Sequence, residues 1–153
     1  MKLEDKKYLL DTGEKINLSS IMGSRGLVMF FYPKAHTPGC TLEVKEFAKR
    51  KEEFDSLHYN IVGISADSPE EQNKFACDFV IDYPLIADVE KDLINQFNLW
   101  GPIKTWGGEE TIGIKRSTFV VNPNMEVILE LDDVNPTEHI ETILEKLKER
   151  STN

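Results

Sequence analysis

Apolar residues along the chain fall into short segments that predict β-strands, and stretches of helical periodicity separate them. Two of these segments are continuous apolar runs, which are typical of strands buried on both faces of a sheet. The predicted strands lie at 27–32 and 61–66, which are those runs, and at 117–121 and 127–131. A small hairpin is also predicted near the N-terminus, at 8–10 and 16–18, with a turn that contains Gly13.

The stretches between the predicted strands carry apolar residues three and four positions apart, which indicates amphipathic helices. These helices are predicted at 41–54, 69–80, 89–97 and 136–149. Strands that alternate with helices in this way favour an α/β sandwich, in which helices flank a central mixed β-sheet. The length of 153 residues indicates a single domain spanning 1–153, with a frayed tail at 150–153.

Charge and composition exclude several classes of partner. The chain has 18 Lys and Arg against 27 Asp and Glu, a net charge of −9, whereas nucleic acids and anionic membranes attract basic surfaces. We therefore expect neither nucleic acid nor a membrane as a partner, and no apolar run approaches the roughly 18 residues of a membrane-spanning helix. The first ten residues lack the pattern of a signal peptide, so the expected location is the cytoplasm, where thiols stay reduced.

Three helix starts consist of a capping residue followed by proline, and one of them carries a cysteine. Ser68 and Asn135 each precede a proline and are followed three positions later by glutamate, which is the pattern of a capping box. Thr37 and Pro38 begin the third helix, and there Cys40 occupies the position of the glutamate. A group at that position lies among unpaired backbone N–H donors at the positive end of the helix dipole, which stabilises an anion.

Cys40 is therefore a candidate nucleophile, one of only two cysteines in the chain. The apolar stripe of its helix comprises Val44, Phe47, Ala48 and Phe54. At about 100° per residue Cys40 lies on the same stripe, so its side chain is expected to face the body of the protein. The alternative is that Cys40 is a small buried apolar residue, as unpaired cysteines often are. The Thr-Pro-Gly sequence before it favours a functional thiolate.

The residues around Cys40 resemble the active-site loop of the peroxiredoxins. The segment 31–43, FYPKAHTPGCTLE, has the family's proline, threonine and cysteine at Pro33, Thr37 and Cys40. Further similar segments follow at 64–69, 83–88, 100–101 and 113–119. The chain most resembles the peroxiredoxin Q, or bacterioferritin comigratory protein, subfamily, and the resemblance extends from Leu9 to the last predicted helix.

The resemblance implies a thioredoxin-like fold and a thiol-dependent peroxidase, an antioxidant enzyme of cell redox homeostasis. Under it, the thiolate of Cys40 attacks hydrogen peroxide or an organic hydroperoxide and becomes a sulfenic acid, and Thr37 hydrogen-bonds the sulfur and the peroxide. Arg116 holds the thiolate and polarises the O–O bond, Glu43 orients Arg116, and Pro33 shields the site from water. Thioredoxin or a similar thiol is the implied reductant, and the subfamily implies a monomer.

The chain departs from the subfamily pattern at the second cysteine. Lys45 occupies the usual position of that cysteine, and the other position that the subfamily uses is on the next helix, near Cys77. The periodicity of 69–80 places Cys77 off the apolar stripe and toward solvent. Cys77 is therefore a candidate resolving cysteine, and the alternative is a single-cysteine cycle in which an external thiol reduces the sulfenic acid.

Two other classes of protein share parts of this pattern. A thioredoxin-like disulfide reductase needs Cys-x-x-Cys, but Glu43 occupies the second position. A thioredoxin-fold thiol or binding protein without peroxidase activity stays open as the alternative, and it predicts that Cys40 reacts with hydrogen peroxide no faster than a free thiol. The histidines His36, His58 and His139 have no ligand spacing, and no phosphate-binding glycine motif is present, so neither a metal nor a cofactor is expected.

Three further predictions concern His36, the two tryptophans and the turn at Met125. His36 is expected to be a solvent-facing loop residue rather than a base for Cys40. Trp100 and Trp106 lie beside Gly-Pro and Gly-Gly pairs, which indicates a long loop. Met125 occupies a turn position where the family usually has glycine, so Asn124 is expected to adopt the left-handed conformation instead.

Overall fold

A five-stranded β-sheet forms the centre of the computed structural model, which describes residues 2–4, 6–104, 108–132 and 136–151. The strands are β1 (Lys7–Leu9), β2 (Lys15–Asn17), β3 (Gly26–Phe31), β4 (Tyr59–Ser65), β5 (Leu85–Ala87), β6 (Trp100–Lys104), β7 (Glu110–Ile114), β8 (Ser117–Val121) and β9 (Val127–Asp132). The helices are α1 (Pro38–Lys49), α2 (Lys51–Ser56), α3 (Pro69–Asp78), α4 (Asp92–Gln96) and α5 (Pro136–Ser151). A short 3-10 turn, Leu18–Ile21, follows β2.

The central sheet has the order β5-β4-β3-β8-β9 and is mixed, as predicted. β3 is parallel to β4 and β4 to β5, whereas β8 is antiparallel to both β3 and β9. All six residues of β3 are buried, which confirms the prediction of a strand covered on both faces. β1 and β2 form the predicted N-terminal hairpin.

Each face of the sheet is covered by its own hydrophobic cluster, and β3 contributes to both because alternate side chains point to opposite faces. Val28 and Phe30 belong to the cluster that also contains Cys40 and the buried residues of α5. Leu27 and Met29 belong to the second cluster, which includes residues of the N-terminal hairpin and of α4. Among the described residues, no helix is both long and apolar enough to cross a membrane.

The sheet topology brings three chain segments together at one end. The loop 32–37 leaves the carboxyl end of β3 and leads into α1. Because β8 runs antiparallel to β3 and Ser117 pairs with Phe31, the residue just before β8, Arg116, lies beside that loop. The parallel strand β4 ends at the same edge and leads to α3.

Helix boundaries differ from the prediction in several places. The helix predicted at 41–54 is divided into α1 and α2, since Arg50 between them has a non-helical backbone (φ −101°, ψ 8°). The Ser68 side chain caps α3 as predicted, accepting a hydrogen bond from the Glu71 amide at 3.2 Å, whereas Asn135 lies outside the described residues. α5 continues through Ser151 into the tail expected to be frayed, and 152–153 lie outside the described residues.

The prediction of a long loop after Trp100 is wrong. β6 and β7 form an antiparallel ribbon, in which Trp100 pairs with Ile114 and Pro102 with Ile112. The glycines and the proline conceal this hairpin in the sequence, but a two-stranded ribbon has free edges, where proline is tolerated. Trp106 lies outside the described residues.

The turn between β8 and β9 also differs from the prediction, because Met125 and not Asn124 adopts the left-handed conformation (φ 66°). The Asn122 side chain accepts hydrogen bonds from the amides of Asn124 and Glu126, both at 3.0 Å, and these contacts fix the turn. The Met125 side chain is 6% exposed and packs in the second hydrophobic cluster. We infer that this burial offsets the cost of a left-handed backbone at a residue other than glycine.

Candidate active site

Cys40 lies in the first turn of α1, as the third residue of the helix. Thr37 precedes the helix with an extended backbone, and its carbonyl accepts the Thr41 amide at 2.9 Å. Cys40 is fully buried and packs in the same cluster as Val44 and Phe47, as the apolar stripe predicted. Its sulfur therefore lies near the positive end of the α1 dipole and away from water.

The guanidinium of Arg116 contacts the sulfur directly. Its Nη2 donates a hydrogen bond to Cys40 Sγ at 3.3 Å, across 76 residues of sequence. The Arg116 side chain is only 16% exposed, so water screens its charge poorly. A fixed cation and a helix N-terminus together stabilise negative charge on the sulfur.

Glu43 lies one turn after Cys40 on α1 and faces the same guanidinium. Its Oε1 is 3.5 Å from Arg116 Nη1, and the Glu43 side chain is 1% exposed. Within the described part of the chain, neither Glu43 oxygen nor Arg116 Nη1 has a hydrogen-bond partner. A buried carboxylate needs a nearby cation, so Arg116 is held between two acidic groups, the thiol and the carboxylate.

Thr37 and Pro33 lie in the loop that leads into α1, and both are half-buried. The Thr37 hydroxyl donates to the Lys34 carbonyl at 2.7 Å, and this hydrogen bond stays within the loop rather than reaching Cys40. Because the hydroxyl proton points to Lys34, the lone pairs of the oxygen stay available to accept a hydrogen bond from a bound peroxide.

Asp67 ties the loop to the end of β4, and sequence reasoning did not identify this role. Its Oδ2 accepts the Ala35 amide at 2.8 Å and the Ser65 hydroxyl at 2.6 Å. The available signal was its place directly after a buried parallel strand, at the edge of the sheet where the Cys40 loop begins.

Two buried tyrosines lie in the cluster around Cys40. Burial raises the pKa of Tyr32 and of Tyr83 well above the ordinary value, so both phenols stay neutral. The Tyr32 hydroxyl donates to Gln72 of α3, and the Tyr83 hydroxyl donates to the Val44 carbonyl at 2.8 Å. These residues connect α1 and α3 to the sheet rather than supplying a base.

The structure keeps the two thiols apart. Cys77 is exposed near the end of α3, as the periodicity predicted, and it forms no disulfide with the buried Cys40. Its Sγ makes a long contact of 3.8 Å with Asn73 Oδ1 on the same helix. In the described part of the chain, no group of three or more His, Cys, Asp or Glu side chains is arranged to hold a metal ion.

Comparisons with known proteins show the family and the fold of the chain. Residues 2–129 match the model of the AhpC/TSA family. The chain is 36% identical over 150 residues to peroxiredoxin Bcp of Bacillus subtilis (strain 168), a match that covers 98% of this chain and 94% of that protein.

Two solved structures share the fold. A structure of the Xanthomonas campestris bacterioferritin comigratory protein, from work on its alkyl peroxide reduction activity, has a TM-score of 0.84 and 31% identity and covers 96% of this chain and 92% of that one. Peroxidoxin BcpB of Mycobacterium tuberculosis has a TM-score of 0.85 and 31% identity, with 97% and 94% covered.

Fold and relatives together define a thiol peroxidase with the expected thioredoxin-like architecture. The chain belongs to the AhpC/TSA family, and its relatives within that family are peroxiredoxins of the Bcp and Q type. It is therefore an oxidoreductase, and the interpretation as a non-peroxidatic thiol or binding protein is the less supported one.

Proposed function

We propose that this peroxiredoxin reduces hydrogen peroxide and organic hydroperoxides through a sulfenic acid at Cys40. The observation that carries the proposal is the 3.3 Å hydrogen bond from Arg116 to Cys40 Sγ in the first turn of α1. A thiol that served only packing would not need a half-buried cation on its sulfur, because apolar neighbours suffice for a buried cysteine.

The reaction moves charge from sulfur to oxygen. The Cys40 thiolate attacks one oxygen of the hydroperoxide, a new S–O bond forms, and the O–O bond breaks. The second oxygen leaves with the electron pair of the O–O bond and takes up a proton, which gives water or an alcohol. The attacked oxygen stays on the sulfur as the sulfenic acid.

Arg116 is suited to stabilise this transfer. Its Nη2 already touches the sulfur, so a peroxide oxygen approaching the sulfur comes within reach of the same fork of donors. Glu43 positions the fork through Nη1, Thr37 accepts a hydrogen bond from the peroxide, and Pro33 limits access of water. The distances of Arg116 from the sulfur, 3.3 Å, and from Glu43, 3.5 Å, support the first two roles, and the places of Thr37 and Pro33 in the loop before α1 support the other two.

The sulfenic acid must then be reduced, and we assign the first step of this reduction to Cys77. The Cys77 thiol attacks Cys40 Sγ, a disulfide forms, and the sulfenic oxygen leaves as water. Thioredoxin or a similar dithiol then reduces the disulfide and is itself oxidised. The exposure of Cys77 supports this role, and the alternative is direct attack by an external thiol on the Cys40 sulfenic acid.

Stopped-flow oxidation by hydrogen peroxide tests the proposal. We expect no rapid reaction in Cys40→Ser, and in Arg116→Ala a rate lower by about 100-fold or more, which is the usual effect of removing a transition-state donor. Lys115→Ala is the matched control, since Lys115 is the exposed neighbour of Arg116, and it should react like the wild type. Slow oxidation of wild-type Cys40 that is independent of Arg116 would contradict the proposal.

Intact mass after one equivalent of peroxide tests the role of Cys77. A Cys40–Cys77 disulfide lowers the mass by two hydrogens, whereas a stable sulfenic acid adds one oxygen and supports the single-cysteine cycle.

We further propose that the protein works as a monomer in the cytoplasm. Two unpaired cysteines fit a compartment that keeps thiols reduced, and the monomer follows the subfamily.

A further inference from the structure

His36 connects the loop before Cys40 to the far end of α3. Its Nε2 lies 2.9 Å from Asp78 Oδ2. Its ring centroid lies 5.0 Å from that of Phe75 and 6.1 Å from that of Phe79. His36 lies in the loop and is exposed, as predicted, but the prediction did not include these contacts, of which the one with Asp78 joins residues 42 positions apart.

The backbone at His36 is in the left-handed region, with φ 64°. Residues other than glycine seldom adopt this conformation, and it persists where the surroundings hold it. Here the surroundings are the two rings and the carboxylate of α3. The loop therefore has a defined docked conformation, and the His36 side chain is the part of it that reaches α3 at Asp78.

Asp78 accepts hydrogen bonds from two side chains, one in the loop, His36, and one in the same helix, Lys74. Lys74 Nζ lies 2.7 Å from the same Oδ2, but Lys74 and Asp78 belong to the same helix, so that pair joins α3 only to itself. Hydrogen bonds from Lys74 and then His36 hold the pKa of Asp78 below its ordinary value, so the group stays a carboxylate. The contact with His36 is the one that crosses to the loop.

The loop that carries His36 leads directly into the first turn of α1, which holds Cys40. Cys40 is fully buried, so no second thiol reaches its sulfur while the loop and the first turn of α1 stay docked. A disulfide requires the two Cα atoms within about 7 Å and a direct approach of the sulfurs. The loop must therefore separate from α3 before the Cys40 sulfenic acid forms a disulfide with another thiol.

We propose that His36 is a latch, which through Asp78, Phe75 and Phe79 holds the loop closed and sets how often Cys40 becomes accessible to another thiol. The proposal rests on the proposed chemistry of Cys40 but not on which thiol resolves it. His36 is a positioning residue in this scheme, because it touches α3 and neither the sulfur nor the peroxide.

Labelling of Cys40 tests the latch independently of Cys77. In a Cys77→Ser background, 5,5′-dithiobis(2-nitrobenzoate) reacts only with Cys40 and releases one coloured thiolate. His36→Asn removes the imidazole, while asparagine tolerates the left-handed backbone. We expect labelling about fivefold faster than without the substitution, the change in an opening equilibrium that corresponds to about 1 kcal/mol.

Lys74→Ala is the matched control, because it removes the other partner of the same Asp78 oxygen without freeing the loop. We expect its labelling rate to change by less than about twofold, as for other exposed ion pairs within a helix. Equal labelling rates with and without the His36→Asn substitution would overturn the latch, and so would an acceleration by Lys74→Ala as large as that by His36→Asn.

Oxidation by hydrogen peroxide in the same proteins separates a latch from general damage to the site. Most molecules stay closed even after a fivefold increase in a small open population, so the oxidation rate of His36→Asn should stay within about twofold. A large fall in that rate would mean that the substitution disturbs the contact of Arg116 with the sulfur, and it would overturn the latch. If no protein is oxidised rapidly, the proposed function fails, whereas the labelling rates still decide on the latch.

Discussion

At the scale of single residues, the site is organised around one guanidinium. Arg116 donates to the sulfur of Cys40 with one terminal nitrogen and faces the carboxylate of Glu43 with the other. Glu43 cannot turn to water, because its side chain is 1% exposed. We therefore propose that the charge of the carboxylate orients the guanidinium, and with it the donors that meet the peroxide in the proposed mechanism.

Replacing Glu43 by glutamine tests this positioning. Glu43→Gln keeps the size of the side chain and removes its charge, so the guanidinium loses the partner that orients it. We expect the rate of Cys40 oxidation to fall by about tenfold, the effect of about 1.4 kcal/mol in the transition state. Stopped-flow measurement with hydrogen peroxide gives the rate, and Glu46→Gln on the same helix is the control that should leave it unchanged.

A double-mutant cycle identifies the route of the effect. If Glu43 acts through Arg116, then Glu43→Gln has almost no further effect once Arg116→Ala is present, because residues that work as a unit are not additive. Additive losses in the double variant would show that Glu43 acts on the sulfur or the substrate by another path.

Single residues also show which features of the site could be predicted from the sequence and which could not. Cys40 was identifiable because the helix start and the apolar stripe both depend on residues close to it in sequence. The contacts of His36 with Asp78 and of Asp67 with the loop depend on tertiary placement across the sheet edge. Met125 shows the same limit, since its left-handed backbone accompanies burial of its side chain, which the turn sequence does not reveal.

At the scale of elements, α3 both contacts the loop before Cys40 and carries the second thiol. Gln72 and Asp78 of α3 contact Tyr32 and His36, near the two ends of the loop that precedes Cys40. Cys77 lies beside Asp78 at the other end from the Ser68 cap. The stability of this helix therefore bears on the closed state of the active site.

Removing the cap of α3 should destabilise the protein measurably. The Ser68 hydroxyl accepts the Glu71 amide at 3.2 Å, and Ser68→Ala leaves this N–H without its partner. We expect the free energy of unfolding in urea to fall by about 1 kcal/mol, the usual value of an N-cap. Ser56→Ala is the control, because the Ser56 hydroxyl donates to a carbonyl of its own helix; an equal loss there would contradict the capping role.

The elements that were predicted correctly are those with strong local signals. β3, β4 and β8 are long apolar strands, and α3 begins at a capping box, so each is recognisable from a few neighbouring residues. The ribbon of β6 and β7 was missed, because most of its residues are partly or fully exposed and they include two glycines and a proline. Pairing of the two strands with each other, and not burial, defines that element.

At the scale of the whole molecule, the two hydrophobic clusters lie on opposite faces of one sheet, and β3, β4, β5 and β8 each contribute buried side chains to both. Val28 and Phe30 of β3 point into the first cluster, and Leu27 and Met29 point into the second. A strand cannot lose its neighbours on one face and keep its position on the other, since both faces use the same backbone hydrogen bonds. The two clusters are therefore expected to melt together, as one domain.

Replacing one buried leucine in each cluster by alanine tests this expectation. Leu144 of α5 and Leu93 of α4 are both fully buried, in the first and second cluster respectively. Each substitution to alanine should lower the free energy of unfolding by about 2–5 kcal/mol, with urea transitions that coincide when followed by circular dichroism and by tryptophan fluorescence. Glu145→Ala, at the exposed neighbour of Leu144, is the control and should change stability by less than about 0.5 kcal/mol. Two separated transitions in either leucine variant would mean that the faces unfold independently, and the chain would then not be a single cooperative domain.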